Sequence, residues 1–122
     1  EPSEIYYKRS TDRGTNWSAI NRMTWNSGFS SSPCIAVDSG NGVHVVWEDD
    51  TPGGISEIFY RHSTDAGNTW SALTRLTLNA GSSDNPVIAA DSINVIHLVW
   101  MDNIPGNYEI FYKNSTGSIL GF

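Results

Sequence analysis

An eight-residue sequence occurs twice in this chain, and this repetition constrains the fold more than any other feature. STDRGTNW occupies residues 10–17, and STDAGNTW occupies residues 63–70, fifty-three positions later. The flanking segments repeat at the same interval, with EIYY at 4–7 matching EIFY at 57–60 and HVVW at 44–47 matching HLVW at 97–100. An internal period of this length indicates an array of similar structural units.

The number of units is not a whole number. A chain of 122 residues contains roughly 2.3 periods of about 53 residues, and a third copy that begins with EIFY at 109–112 loses the pattern after Thr116. Repeats of this kind are stable only when they stack on neighbours. We therefore expect either a piece of a longer protein or a short chain that other copies of itself complete.

Alternating hydrophobicity and turn residues predict an all-β chain. In one unit, strands are predicted over residues 33–38, 43–47, 57–62 and 73–78, where β-branched and aromatic residues are concentrated. The turn cluster DSGNG at 38–42 predicts a hairpin between the first two strands. No segment of twelve residues maintains a helical period, so helix is predicted to be nearly absent.

Several predicted strands are apolar on both faces, as Val45, Val46 and Trp47 illustrate. Sheets packed between neighbouring sheets account for this pattern, and radial repetition provides such neighbours. We predict β-propeller blades of four antiparallel strands: the second half of a blade at 1–25, a complete blade at 33–78, and most of a further blade at 86–122. A propeller closes with about four to eight blades, so three copies with two blades each would give a six-bladed ring. Two or four copies remain open, as does completion by a longer chain.

The repeated octapeptide has the composition of a tight turn between strands. Asp12 and Asp65 are expected to accept hydrogen bonds from backbone amides in the turn. Gly14 and Gly67 are expected at positive φ. The tryptophans that end the two copies are predicted to fold back between the sheets, where truncation to Ala would cost about 3–5 kcal/mol. They are Trp17 and Trp70.

This motif resembles the Asp-box, or bacterial neuraminidase repeat, of sialidases and other glycoside-related propellers. Both copies match at every defining position, namely Ser10, Asp12, Gly14, Trp17, Ser63, Asp65, Gly67 and Trp70. The third copy departs, because Gly117 replaces the Asp and no Trp comes after it. The resemblance implies a sialidase-like propeller with structural, non-catalytic boxes on the side away from the active site. It also implies a secreted, periplasmic or cell-surface protein.

The resemblance does not assign catalytic residues to this chain. Sialidases use three arginines, a Tyr–Glu pair and an Asp, and their Arg-Ile-Pro signature does not occur here. Repeated positions are better explained by structure. We expect repeat-wide structural arginines at Arg22 and Arg75, core histidines at His44 and His97, and packing tyrosines at Tyr6, Tyr7, Tyr60 and Tyr112. Positions whose residue type varies are expected to be exposed, namely Arg9, His62 and Asn114.

Acidic loops are the best candidates for a ligand surface. At the end of the second strand of each unit lie Glu48, Asp49 and Asp50, and Asp102 and Asn103, which are expected on the face opposite the boxes. Asp84, in the preceding loop between units, is expected to join them. Such carboxylates can serve acid/base catalysis, bind Ca²⁺ or accept hydrogen bonds from sugar hydroxyls. Equally, they can cap strand ends and keep the surface hydrated.

Composition excludes several classes of function. A net charge of −6 disfavours nucleic acid and anionic membranes as partners. No apolar run approaches the ~18 residues of a membrane span. The single cysteine, Cys34, matches Val87 in the repeat and is expected to be a small buried hydrophobe. Neither a metal nor a cofactor is predicted.

Three functions fit the sequence. The first is a non-catalytic propeller segment that serves as a scaffold or carbohydrate-binding module. The second is a fragment of an exo-sialidase-type glycoside hydrolase whose catalytic residues lie mostly outside this chain. The third is a self-assembling structural repeat without a small ligand. Fold alone does not distinguish among them.

Overall fold

The computed structural model describes residues 2–50, 53–104 and 106–116, which form nine β-strands in three antiparallel sheets. The order β1–β2 forms the first sheet, β3–β4–β5–β6 the second, and β7–β8–β9 the third. The described residues contain no helix, so the all-β prediction is confirmed. The strands are β1 Tyr6–Tyr7, β2 Asn21–Arg22, β3 Ser30–Val37, β4 Val43–Asp49, β5 Glu57–Ser63, β6 Thr74–Arg75, β7 Ser83–Ala90, β8 Ile96–Asp102 and β9 Glu109–Asn114.

The first strand of each unit begins earlier than predicted. β3 starts at Ser30 and not at Pro33, because the register shifts between Ser31 and Cys34 and pairing with β4 continues on both sides of the irregularity. Ser32 adopts a φ of 50° at this point. The same irregularity recurs in β7, between Asp84 and Val87. A proline removes a backbone donor, and the bulge accommodates it within a paired strand.

The fourth strand is shorter than the predicted 73–78, with only two paired residues in β6. Beyond these two residues, a threonine hydroxyl replaces a backbone carbonyl as the hydrogen-bond acceptor for β5. The Thr77 hydroxyl accepts the Ile58 amide at 2.8 Å, and the Leu76 amide donates to the Ile58 carbonyl at 2.8 Å. In the first sheet, Thr24 accepts the Ile5 amide at 2.9 Å in the same way. Side-chain oxygens thus complete the backbone hydrogen bonding where the ladder ends.

The second sheet is covered on both faces. Its β4 and β5 direct one set of side chains toward the first sheet and the alternate set toward the third, as the period of two along a strand requires. One core cluster, between the first and second sheets, contains Ile5, Met23, Val43, Val45, Trp47 and Phe59. The other, between the second and third sheets, contains Val46, Ile58, Tyr60, Leu76, Ile88, Ile96 and Leu98.

The two core clusters use the same repeat positions, so the two sheet-to-sheet interfaces are equivalent. Ile5, Tyr7 and Met23 of the first sheet correspond to Ile58, Tyr60 and Leu76 of the second. Likewise, Val43, Val45 and Trp47, on the side of the second sheet that faces the first, correspond to Ile96, Leu98 and Trp100, on the side of the third sheet that faces the second. Each pair of successive sheets therefore packs through the same set of repeat positions.

The two tryptophans of the repeated turns differ, and the prediction that both are anchored between sheets is wrong for one of them. Trp70 is partly buried and makes an edge-to-face contact with Tyr7 of the first sheet, with 5.0 Å between ring centroids. Trp17 is 59% exposed. The reason is positional: the described residues place no sheet against the side of the first sheet on which Trp17 lies.

The prediction of an exposed His62 is wrong, because this residue is buried. Its ring stacks on Tyr60 and on His44, with centroid distances of 5.7 Å and 6.2 Å. Burial, together with the nearby His44, lowers the pKa of His62. Since a neutral imidazole packs as an apolar ring, this position tolerates burial that a charged residue would not.

We predict that the two tryptophans contribute unequally to the stability of the dilute single chain. Trp70→Ala should lower the free energy of unfolding by about 3 kcal/mol or more, because it removes the contact with Tyr7 and leaves a cavity. Trp17→Ala should lower it by less than about 1 kcal/mol, as expected for an exposed site. Urea unfolding at micromolar protein measures both, and equal losses would contradict the packing described here.

Candidate functional site

Strand register separates the acidic loops from the repeated turns. In the second sheet Val43 pairs with Ser63 at one end of β4, and Asp49 pairs with Glu57 at the other. The turn at 63–70 therefore lies at the opposite end of the sheet from the loop that follows Asp49. We call the end that carries the six predicted residues, Glu48, Asp49, Asp50, Asp84, Asp102 and Asn103, the acidic edge.

Two of these residues are structural and closed to a ligand. Asp49 and Asp102 are equivalent and almost completely buried. Asp49 accepts the Ser30 hydroxyl at 2.6 Å and the Asn26 amide nitrogen at 2.6 Å. Asp102 has the same bonds to the repeat mates of these residues, at 2.7 Å and 2.9 Å. Burial by itself would raise the pKa of Asp102, but these hydrogen bonds bring the pKa below its ordinary value.

Two further residues at the acidic edge close their own loops. Asp50 accepts the Phe29 amide at 2.7 Å, and Asn103 accepts the Ser82 amide at 2.7 Å. Glu48 joins two sheets, because one of its oxygens accepts the Ser31 hydroxyl at 3.0 Å and the other accepts the Asn85 amide at 2.7 Å. The sixth residue lies near this bridge. The structure thus places the predicted residues at one end of the sheets. The hydrogen bonds of most of them hold the loops in place.

That sixth residue, Asp84, is paired with an exposed aromatic side chain. The Tyr108 hydroxyl donates to Asp84 at 2.9 Å, and half of Tyr108 is exposed. This hydrogen bond to the carboxylate raises the pKa of Tyr108. Two other aromatic residues are exposed at the same edge: Phe29, and Trp25, over whose ring the Arg22 guanidinium lies 5.8 Å from the centroid.

Sequence reasoning missed these aromatic residues, although a signal existed. They are the members of their repeat positions that differ from their mates: Trp25 stands where the next unit has Leu78, and Phe29 where it has Ser82. Tyr108 stands where the preceding unit has Ile55 or Ser56, at the variable end of the loop before the third strand. Core positions must agree between units, whereas exposed loop positions are free to diverge toward a ligand.

The repeated arginines hold buried glutamates. Arg75 pairs with Glu57 at 2.9 Å, and Arg22 pairs with Glu4 at 2.9 Å. Both glutamates also accept a threonine hydroxyl, from Thr77 and Thr24 respectively. These ion pairs give both arginines a structural role, as expected from their repetition.

An Asp–His–Tyr hydrogen-bonded trio occurs in each of the last two sheets. His44 contacts Asp38 through Nε2 at 2.8 Å and the Tyr60 hydroxyl through Nδ1 at 2.8 Å. His97 has the same two bonds, to Asp91 and Tyr112. His44 and Tyr60 of the first trio are buried, and this burial raises the pKa of Tyr60. His97, expected in the core, is partly exposed together with the rest of the second trio. The burial of His44 and Tyr60 indicates that the first trio is a packing element that satisfies buried polar groups.

The repeated turns have the hydrogen bonds that their composition predicts. Asp12 accepts the Asn16 amide at 2.8 Å, and Asp65 accepts the Thr69 amide at 2.8 Å. A serine hydroxyl donates to each aspartate and accepts the amide of the glycine; these are Ser10 with Gly14 and Ser63 with Gly67. Both glycines have positive φ, 90° and 86°. These bonds make the aspartates turn-forming groups.

Within the described ranges, no three His, Cys, Asp or Glu side chains are grouped so as to hold a metal ion. No helix in the same ranges is long and apolar enough to cross a membrane. Cys34 is a free thiol, partly buried, whose sulfur accepts the Ile88 amide at 3.5 Å.

Comparison with known proteins relates the fold to a sialidase. Neither a protein-family model nor a curated protein sequence matches this chain. Among solved structures, the chain is similar to the Hadza microbial sialidase Hz136, with a TM-score of 0.73 and 13% sequence identity. The alignment covers 93% of this chain and 29% of that one, so the chain spans less than a third of the sialidase. The chain thus has the fold of part of a sialidase-like β-propeller.

We predict that acid weakens the turns at an unusually low pH. Hydrogen bonds from Thr69 and Ser63 lower the pKa of Asp65 to about 2, and bonds from Asn16 and Ser10 lower that of Asp12 to about 2. Since the folded pKa is depressed, the stabilisation is complete above the ordinary value near 3.8 and is lost as the pH falls toward about 2. Carboxyl NMR titration should give both midpoints.

A variant with one donor removed provides the control. Thr69→Val eliminates the side-chain bond to Asp65 but keeps the backbone bond, and it leaves Asp12 untouched. The midpoint of Asp65 should rise while that of Asp12 stays constant. Midpoints near 4 for both residues in the parent chain would contradict the turn geometry.

Proposed function

We propose that the chain is a non-catalytic segment of a sialidase-like propeller, with Asp-box turns at one end of its sheets and a carbohydrate-contacting surface at the other. In this role it acts outside the cytoplasm, as scaffold and binding module together. Other copies of the chain or a longer parent protein complete the ring. The turns at 10–17 and 63–70 support the Asp-box assignment, since serine, aspartate and glycine each have the same role in both.

The observation that carries this proposal is the hydrogen bond between an exposed aromatic side chain, Tyr108, and a carboxylate at the acidic edge, with two further exposed rings at the same end. Tyr108 bonded to Asp84 combines a flat apolar surface with an anchored acceptor. Trp25 and Phe29 add two more exposed rings at this end. Sugars present apolar C–H faces that pack on aromatic rings, and hydroxyls that donate to carboxylates, so this combination suits a neutral or basic glycan.

The acidity of the edge favours binding over sialoside cleavage by this chain. A sialic acid brings its own carboxylate, and the arginines that would receive it are engaged with Glu4 and Glu57. Asp49 and Asp102, the most buried carboxylates of the edge, are bonded to their own loops. A glycan without a negative charge meets no such repulsion.

A second candidate function is a portion of an exo-sialidase-type glycoside hydrolase. The similarity to a structure named as a sialidase, of which this chain spans 29%, favours it. In that case the remaining blades supply the catalytic groups, and this segment contributes the acidic edge to the rim of the site.

A glycan array followed by titration of the best binder tests the first proposal. Tyr108→Ala and Asp84→Ala should each weaken binding by at least about tenfold, since the first removes the stacking ring and the second removes the carboxylate that accepts its hydroxyl. Ile93→Ala is the matched control, because it truncates an exposed apolar residue in the hairpin turn at the other end of the sheet. No binding to any neutral, basic or acidic glycan would refute the binding role.

A fluorogenic sialoside assay separates the two candidates. The proposal predicts no turnover by this chain. Turnover that survives purification to homogeneity, and that is lost on Arg22→Lys or Arg75→Lys, would replace the binding role with the enzymatic one.

A further inference from the structure

The first sheet ends in an open strand edge beside an apolar groove. β1 pairs with β2 on one side, and among the described residues no strand pairs with its other side. A cavity of 230 Å³ opens beside this free edge, and β3 and β4 form its far wall. Its lining includes Ile5, Tyr7, Cys34, Ile35 and Val45. An open edge of this kind favours pairing with an added strand.

The repeat shows which strands fit this groove. Between the second and third sheets, β7 lies against β3 and β4, and Ile88 and Ala90 pack with Cys34, Ala36 and Val46. The repeat mates of Ile88 and Ala90 are Ile35 and Val37, which line the open side of β3 and are 52% and 59% exposed.

The opposite half of the same interface is exposed on the third sheet. The repeat mates of Cys34 and Val46 are Val87 and Val99, which are 55% and 37% exposed. One end of the chain thus presents the side chains of β7 and β8 that fit against β3, and the other end presents β3 uncovered. The two surfaces face away from each other in one chain, and they are complementary between two copies.

The sequence also duplicates the strand at the junction. EIYYKRST at 4–11 matches EIFYKNST at 109–116 at six of eight positions. Thus β1 is chemically equivalent to β9. The segments after the two strands differ: β1 leads into a complete turn with Trp17 and the fourth strand β2, whereas after β9 the Asp is replaced by Gly117. β9 is also the edge strand of its sheet and is largely exposed.

We propose that β7 and β8 of one copy and β1 and β2 of a second copy form a single four-stranded sheet, with β1 in the place of β9. The occupant of the groove is therefore the β7–β8 hairpin of another copy of this chain. Exchanging β9 for β1 preserves the kind of backbone bonds made to β8, and the association adds β2 and covers Ile35, Val37 and Val87. This inference rests on the propeller assignment in the proposed function and is independent of the glycan ligand.

The sheets within one chain give the register of the exchange. Since Val46 pairs with Tyr60 and His44 with His62, Val99 pairs with Tyr7 and His97 with Arg9. His97 then meets the hydroxyl of Tyr7, which has no hydrogen bond within the described part of one chain, and reproduces the Asp–His–Tyr trio.

The exchange also buries the exposed tryptophan. Trp17 takes the repeat position of Trp70, which lies against Tyr7. Tyr60 of the first copy is 2% exposed in one chain, so the Trp17 ring replaces part of its present cover when β9 is exchanged. The two turn glycines differ in the same way: Gly67 lies against the Tyr7 ring, whereas among the described residues of one chain Gly14 is approached only by Trp17 of its own turn.

Solution mass and disulfide trapping test the proposal on the full chain. Multi-angle light scattering should show a multiple of 13.4 kDa that dissociates on dilution. In a Cys34→Ser background, Arg9→Cys with His97→Cys should give intermolecular disulfides on mild oxidation, because cross-strand partners lie within disulfide reach. Lys8→Cys with His97→Cys is the matched control, since the side chain next along the strand points to the other face and should stay monomeric on a non-reducing gel.

Charge insertion tests the apolar contact independently. Ile35→Asp and Val87→Asp should each raise the concentration for half assembly at least about tenfold, whereas Leu78→Asp, at an exposed site away from the groove, should not. Near-UV circular dichroism of the dilute variants should match the parent, since all three sites are exposed. A one-chain mass at every concentration, equal trapping in both cysteine pairs, or association unaffected by Ile35→Asp and Val87→Asp would overturn the proposal. Glycan binding by a chain that stays monomeric would overturn it and leave the proposed function intact.

Discussion

Burial of sheet faces against neighbouring sheets is the constraint on which this structure depends. The central strands β4 and β5 carry large apolar side chains on both sides, with Trp47 and Phe59 on one and Val46, Ile58 and Tyr60 on the other. Burying each such side chain contributes about 1.5–3 kcal/mol. An isolated sheet would leave both of these faces in water, and a single neighbour would cover only one, so the unit is stable only between two neighbours.

Polar groups set the spacing between sheets. The same serine, Ser83, donates to Asp102 of its own sheet and lies 3.4 Å from a Glu57 oxygen of the preceding sheet. Glu57 is in turn held by Arg75. These buried groups have their hydrogen bonds satisfied in only one geometry. They therefore fix the distance and orientation between neighbouring sheets, which apolar contacts alone would leave variable. The acidic edge is the outer end of this network, which explains why most of its carboxylates are structural.

The parts of the structure that repeat could be predicted from the sequence. Asp65 and Gly67 have turn roles that backbone geometry dictates, and the two-sided apolar pattern around Trp47 predicts stacked sheets. Features that depend on a particular neighbour were not predictable. His62 is buried because it stacks on His44, and Trp17 is exposed because no sheet lies beside it among the described residues. Neither fact is encoded in local periodicity.

At the candidate site, the sequence predicts where the acidic residues lie but not which of them are accessible. The acidic residues lie at one edge as predicted, but whether a carboxylate is open or closed depends on partners such as Ser30 and Asn26, which lie about twenty residues away in sequence. Comparing the repeated residues does not identify Tyr108, because this residue differs from the residue at the same position in the preceding unit. Divergence at an exposed loop position is the more informative signal in an array of this kind.

Amide hydrogen exchange, measured residue by residue, tests the central claim most directly. If the second sheet is enclosed between two others, the amides of β4 and β5, such as those of Val46 and Ile58, should exchange more slowly than any others, and those of the edge strand β9 should exchange much faster. Exchange in β4 and β5 as fast as in β9 would show that the sheet is not enclosed, and the account would fail.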